Sequence, residues 1–283
     1  MIHIVVCIKQ VPDSAQIRVH PVTNTIMRQG VPAIINPYDL YALEEALRIK
    51  DKLGGFITVI TMGPPQAENA LRKAISFGAD EAILVTDRAF AGADTLATSF
   101  ALASAIRQIE KSMPVDMVFC GKQTIDGDTA QVGPGIAKRL DLELLTYISS
   151  VVSVNTDKRE IVVQRRSEGG VQVLKTRLPC LITMLEGSNE MRFATMPNMI
   201  RAARATVKKW DRVAAGIEDP GKIGLKGSPT VVSKVFAPTP KTAKAEIVQT
   251  ESNEPQDLAA ALLMRVFTRF PHVADEVRKN AAV

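Results

Sequence analysis

Short apolar runs alternate with helix-period stretches through roughly the first 190 residues. Ile2–Ile8 is a near-continuous apolar run, the pattern of a strand buried on both faces of a parallel sheet. Asp39–Lys50 carries Leu40, Leu43, Ala46, Leu47 and Lys50 on one stripe, which predicts a helix with Asp39 as its N-cap after an Asn36-Pro37 turn. Strands are predicted at Phe56–Thr61, Glu81–Thr86 and Met117–Cys120, and helices at Gln66–Phe77, Asp94–Lys111 and Ile136–Leu140. This βαβαβαβ order predicts an α/β fold with a right-handed, doubly wound parallel sheet.

From Tyr147 the pattern changes. Ile148–Val154, Glu160–Arg166, Val171–Thr176 and Cys180–Leu185 read as strands, with a Gly169-Gly170 hairpin turn, and are expected as antiparallel additions to the sheet. Met199–Trp210 reads as a basic helix. Two divisions are therefore expected: an α/β domain over 1–210, and an extended arm over 211–283 that is rich in Gly, Pro, Lys and Ser and closes with a helix at Gln256–Phe270.

Composition narrows the function classes. Across 283 residues, 46% are apolar and 23% charged, enough apolar material for a large core. The net charge of +5 is a weak hint of anionic partners. No apolar run reaches the ~18 residues of a membrane span, and the first ten residues read as a strand, not a signal peptide. Cys7, Cys120 and Cys180 lack metal or redox spacing and read as buried thiols in a reducing cytoplasm. His3, His20 and His272 match no zinc pattern, so no metal is expected. Arg201–Lys209 has one neighbouring aromatic, Trp210, and no stacking platform; it reads as a solvated face, and no nucleic acid partner is expected.

The candidate chemistry sits where parallel strands end and helices begin, which is where open α/β sheets bind ligands. Two segments stand out: Ala91-Gly92-Ala93-Asp94-Thr95, and the loop from Gly121 to Gly133. Gly127, Thr129 and Gly133 can offer free N–H groups to a phosphate near a helix start. Neither G-x-G-x-x-G after the first strand nor a P-loop is present, so a nucleotide would be held in another way. Lys9, just past the first strand, suits an anion or is simply solvated. Asp126 and Asp128 read either as an acid/base or magnesium pair or as turn formers and caps that also bond a ligand hydroxyl. No nucleophile or base is identifiable beside them, so no catalytic side chain is assigned.

Several motifs, in order, carry a family resemblance. They are Val5 through Asp13, Asn36-Pro37-Tyr38-Asp39 with Ala42 through Ala46, Met62-Gly63-Pro64-Pro65-Gln66, Gly78-Ala79-Asp80, and Gly121 through Asp128. Arg165 through Gly170, Leu178-Pro179-Cys180 and Arg192 through Met199 complete the series. Over about residues 1–240 the chain resembles the small (beta) subunit of an electron-transfer flavoprotein. The resemblance implies an adenine-nucleotide-hydrolase-like domain paired with a flavin-carrying alpha subunit, on which the arm would pack. It implies a nucleotide site at Cys7, Lys9, Asn36, Pro37, Tyr38, Asp39, Met62, Gly63 and the loop Gly121, Lys122, Gln123, Thr124, Ile125, Asp126, Gly127, Asp128, Thr129, Ala130, Gln131 and Val132.

Ordinary members hold AMP there. A bifurcating subgroup holds a second FAD and oxidises NADH, and its loop stands intact at Asp126 through Pro134. Asp94, Thr95 and Thr98 resemble that subgroup's flavin-phosphate contact. The resemblance therefore implies FAD in place of AMP, NADH as electron donor, and delivery to two acceptors. One is a flavin-dependent dehydrogenase of the acyl-CoA type; the other is ferredoxin or flavodoxin. Met196, where the family more often has Leu, matches the partner-docking position of a loop near 192–199. A non-redox nucleotide-binding protein of the same fold is the remaining alternative.

Overall fold

The computed structural model describes residues 1–13, 18–19, 26–27, 32–231, 233, 245–252 and 254–281. In chain order the elements of the first unit are β1 (His3–Cys7), β2 (Gln10–Pro12), β3 (Arg18–Val19), β4 (Ile26–Met27), β5 (Ala33–Ile35), α1 (Pro37–Leu53), β6 (Phe56–Met62), α2 (Glu68–Phe77) and β7 (Glu81–Val85). They continue with α3 (Thr95–Glu110), β8 (Met117–Gly121), α4 (Val132–Leu140), β9 (Glu143–Asn155), β10 (Glu160–Ser167), β11 (Gly170–Arg177), β12 (Cys180–Met184), α5 (Met196–Arg204) and β13 (Lys208–Trp210). Nine strands form one sheet in the order β11-β10-β9-β12-β8-β1-β6-β7-β13. The β2–β5 and β3–β4 pairs stand outside it.

The alternation of side chains along each strand divides the core in two. Ile4, Val6, Met117 and Phe119 pack on one face with Leu43 and Leu47 of α1 and Leu71 and Ile75 of α2. Val5, Cys7, Val118 and Cys120 pack on the other with Leu102 and Ile106 of α3 and Ile136 of α4. Helices cover both faces, which is why the central strands read as unbroken apolar runs. The chain passes from β1 outward through β6 to β7, then returns across β1 to β8. The strand order therefore reverses between β1 and β8, at the register pair Cys7–Cys120. That reversal is where a doubly wound sheet opens a crevice at its carboxyl edge.

Several expectations need correction. The Cys180–Met184 strand is not an antiparallel addition: β12 runs parallel to both β8 and β9, and all five residues are buried. Its unbroken apolar run is the signature of an interior strand. Only β9, β10 and β11 form the antiparallel meander. The basic segment after Met199 is not one helix: α5 ends at Arg204, and Lys208–Trp210 pairs in parallel with β7 as an edge strand. Lys209 there reaches Glu68 at 2.9 Å, and Lys208 pairs with Glu81. The helix α1 starts two residues earlier than expected, with Asn36 at the N-cap position; the Asp39 side chain is used elsewhere.

The compact unit runs from Met1 to Phe236, past the expected boundary at 210. Ala215, Ile217 and Ile223 are buried against the α3 face, so the polar composition after 211 conceals core residues. The second unit, Ala237–Val283, contains two helices, α6 (Pro255–Arg269) and α7 (Pro271–Ala281), in place of the single expected one. Pro271 starts the second, because proline at a first helical position loses no hydrogen bond. No described helix is long and apolar enough to cross a membrane.

Candidate functional site

A cleft of about 1560 Å³ opens over the carboxyl ends of β1, β6, β7 and β8. Its floor is Cys7 and Cys120, free thiols side by side on neighbouring strands. The hydrogen bond with Cys7, together with burial, pushes the Cys120 thiol well above its ordinary value, so it is neutral and unreactive. Cys180 is buried too, and burial pushes its thiol up to about 12. All three thiols match the expected buried, unpaired state.

Of the residues singled out in the sequence, Cys7, Lys9, Asp39, Met62 and Gly63 line the cleft from β1, α1 and β6. Asp94, Thr95 and Thr98 line it from the start of α3. Gly121, Lys122, Gln123, Thr124, Gly127, Thr129, Ala130, Gln131 and Val132 line it from β8 and the following loop. Six lie outside the lining: Asn36, Pro37, Tyr38, Ile125, Asp126 and Asp128. They support the wall from behind. Asn36 Nδ2 donates to the Gln123 carbonyl at 2.8 Å, and its Oδ1 accepts from Ile125 N at 3.2 Å. The Lys122 ammonium lies over the rings of Tyr38 and Tyr147, 5.2 and 6.0 Å from their centroids.

Asp39 ties three elements together. It accepts from Lys9 N at 2.7 Å and from Gly121 N at 3.2 Å, so β1, α1 and β8 meet on one carboxylate. Complete burial pushes Asp39 up to about 7, against the lowering effect of those hydrogen bonds and of nearby Lys9. Gly121 is required at this junction: a Cβ there would stand 2.6 Å from the Tyr38 carbonyl carbon.

The loop from Thr124 to Gln131 is built as a concave rim of backbone. Asp128 and Ala130 both adopt left-handed backbone, with φ of 55° each. For Ala this costs roughly 1–2 kcal/mol. Asp128 N bonds Thr124 O at 2.8 Å, and the Gln123 side chain reaches Asp128 Oδ1. The N–H groups of Gly127, Thr129, Ala130 and Gln131 have no acceptor among the described residues, and Val132 and Gly133 open α4 with theirs unpaired. A run of free N–H groups at a helix start is a receptor for phosphate oxygens.

The acids of this region serve the protein itself. Asp126 accepts both contacts from the Lys9 ammonium, at 2.7 and 2.8 Å. Burial pulls Asp126 upward, but hydrogen bonds from Lys9 and Thr124 outweigh it and hold the group below its usual range. Asp94 caps α3, accepting from Leu96 N and Ala97 N, and also from Thr230 Oγ1 at 2.8 Å. Burial raises Asp94 as well, and those bonds again leave it ionised. Thr95 Oγ1 donates to Gln131 Oε1 at 2.9 Å, joining α3 to the rim. Asp126 is thus engaged by Lys9 and Asp128 by the Gln123 side chain. Among the described residues no three His, Cys, Asp or Glu side chains converge as metal ligands.

Thr86, Asp87, Arg88 and Phe90, with Pro229 and Thr230, also line the cleft and are not among the residues singled out in the sequence. The first four follow the carboxyl end of β7, and the strand-end rule could have found them. Pro229 and Thr230 are far away in sequence and carried no signal. Arg88 is a lining cation with no carboxylate partner among the described residues.

The segment near 192–199, expected to dock a partner, is held firmly and displays apolar side chains. Arg192 Nε donates to buried Glu44 Oε2 at 2.9 Å, Arg192 Nη2 reaches Asp51 at 2.8 Å, and Asn189 bonds Tyr41 O and Glu45. Beyond this clamp Phe193 is 95% exposed and Met196 65%.

The chain matches the family described as electron transfer flavoprotein domain over residues 23–215. It is 69% identical over 279 residues to Protein FixA of Azotobacter vinelandii, covering 99% of each chain. It is 62% identical over 282 residues to Protein FixA of Sinorhizobium fredii, again covering 99% of each. To the electron transfer flavoprotein subunit beta of Clostridium acetobutylicum it is 47% identical over 232 residues, covering 82% of this chain and 86% of that one.

Proposed function

Because the chain belongs to the electron transfer flavoprotein family, as a beta subunit that pairs with an alpha subunit in electron transfer, we propose that its cleft binds FAD and receives electrons from NADH in a bifurcating complex. The observation that carries this reading is the cleft itself. Its 1560 Å³ exceeds the roughly 300–1000 Å³ of an ordinary single-ligand pocket and suits a dinucleotide better than AMP. The rim supports the same occupant: Gly127, Thr129, Ala130, Gln131, Val132 and Gly133 offer N–H groups with no acceptor among the described residues, and Arg88 has no carboxylate partner among them, which suits a pyrophosphate.

In this reading the N–H groups of Gly127, Thr129, Ala130 and Gln131 hold phosphate oxygens, and Val132 and Gly133 add the positive end of α4. Asp39 and Asn36 keep the rim in place through their hydrogen bonds to backbone. The Lys9–Asp126 pair closes the rim against β1. Met62 through Pro65 wall the side open to a nicotinamide. The chemistry the flavin supplies when bound is acceptance of a hydride from NADH and its release as single electrons. A flavin held there would let one electron pass through the alpha-subunit flavin to a dehydrogenase and the other to ferredoxin or flavodoxin. No side chain of this subunit acts as acid or base. Met196, with exposed Phe193 beside it, docks the dehydrogenase. The second unit packs on the alpha subunit, and the complex works in the cytoplasm.

Extraction of small molecules from the purified heterodimer tests the proposal. Two FAD per heterodimer are expected. One FAD with one AMP would establish the alternative, a carrier with a structural nucleotide.

A further inference from the structure

A second cavity, of about 560 Å³, lies beside the first and shares only Leu96 and Pro229 with it. Three separate segments build it: Leu96 and Phe100 of α3, Arg139 of α4, and the strap from Gly221 to Pro229. The strap is fastened to α3 through Ser228 Oγ, which accepts from Asp94 N at 2.8 Å and donates to Gly224 O at 2.6 Å.

Every charged side chain lining the cavity is a cation. Arg139, Lys222 and Lys226 line it, and none of them has a carboxylate within ion-pair distance among the described residues. Arg139 and Lys222 each stand 5.8 Å from the centroid of the Phe100 ring. Arg139 Nη2 donates to Leu96 O at 3.1 Å, but its Nε is buried with no acceptor. The nearby acids are already engaged: Asp219 caps Gly221 N, and Asp94 caps α3. Three like charges around one concavity repel one another and focus a positive potential into it. A buried guanidinium N–H without an acceptor is costly by itself. The mutual repulsion of the three cations is relieved by an anion with several oxygens, and the planar fork of arginine matches phosphate geometry.

We propose that this cavity is a binding site for the diphosphate or triphosphate group of a small phosphorylated ligand, separate from the main cleft. The three cations are spread around a space larger than one phosphate needs, which selects a polyphosphate. The volume falls within the roughly 300–1000 Å³ of small-molecule pockets, leaving room for an organic group beside Phe100.

Calorimetric titration of the full chain in complex with its alpha subunit tests the site, with pyrophosphate as the probe. Saturable binding at one site per chain is expected. The double variant Lys222→Gln/Lys226→Gln should weaken it at least tenfold, and Arg139→Lys, which removes the fork, should also weaken it. The complex carries its flavin throughout, so the phosphate-holding rim of the main cleft is occupied and does not compete for the probe. ADP and inorganic phosphate form two further arms: tighter binding of ADP than of pyrophosphate identifies a nucleoside diphosphate as ligand, equal binding identifies the polyphosphate group alone, and both support the site. Absence of saturable binding, or wild-type affinity in the lysine double variant, would overturn it. Release of the alpha subunit by that variant would overturn it too, since the cations would then hold a protein partner.

Discussion

The Lys9 ammonium lies 2.7 Å from Asp126 Oδ2 and 2.8 Å from Oδ1, bridging the end of β1 to the rim that follows β8. Both side chains are partly exposed, 45% and 34%. Solvent therefore screens the pair, and its contribution to stability is under about 1 kcal/mol. Its role is to fix the position of the rim. Lys9→Met should leave the unfolding transition within about 1 kcal/mol of wild type while lowering retained flavin. A large loss of stability with normal flavin content would contradict this assignment.

Two glycines of the same loop separate folding from binding. A Cβ at Gly121 would meet the backbone of Tyr38 at 2.6 Å, so Gly121→Ala should destabilise the fold by about 1–3 kcal/mol. At Gly127 the neighbour is the movable Thr124 hydroxyl at 3.2 Å. Gly127→Val should therefore fold normally and lose cofactor, because its branched side chain crowds the phosphate-facing N–H groups. Denaturant unfolding combined with flavin absorbance distinguishes the two, and full flavin content in Gly127→Val would remove this loop from the site.

Burial raises Asp39 to about 7, so the folded chain holds that proton more tightly than the unfolded chain does. The sign follows directly. Its contribution to stability is fully present below about pH 4, the ordinary carboxylate range, and is lost as pH rises through about 7. Asp39→Asn should flatten the stability profile over that window. A carboxyl carbon resonance titrating near neutrality in wild type and missing in Asp39→Asn checks the assignment; a resonance titrating near pH 4 would refute it.

Met196 is 65% exposed at the start of α5, on a segment clamped by Arg192 and Glu44. Met196→Asp puts a charge on the docking face and buries nothing. Flavin content and unfolding should stay unchanged, while the rate of electron delivery to the dehydrogenase should drop at least tenfold. Unimpaired delivery would assign docking to another surface.

Local pattern and tertiary arrangement determined different things about this protein. The apolar runs of β1, β6, β7 and β8 and the stripes of α1 to α3 specify a doubly wound sheet, because burial on both faces leaves a period that a single segment displays. Strand-end position likewise pointed to the segment before α3 and to the loop after β8, whereas Cys7, Asp39 and Met62 were implied by the family resemblance; of that loop, Ile125, Asp126 and Asp128 lie outside the cleft lining. Local pattern did not tell an interior parallel strand from an edge addition at Cys180–Met184, since strand order depends on pairing between residues distant in the chain. Nor did it show that Lys9 neutralises Asp126, that Asp39 binds β1 to β8, or that Arg139, Lys222 and Lys226 share one cavity. Those contacts join residues from roughly 30 to more than 100 positions apart, and only the closed chain brings their charges and hydrogen-bonding groups within reach.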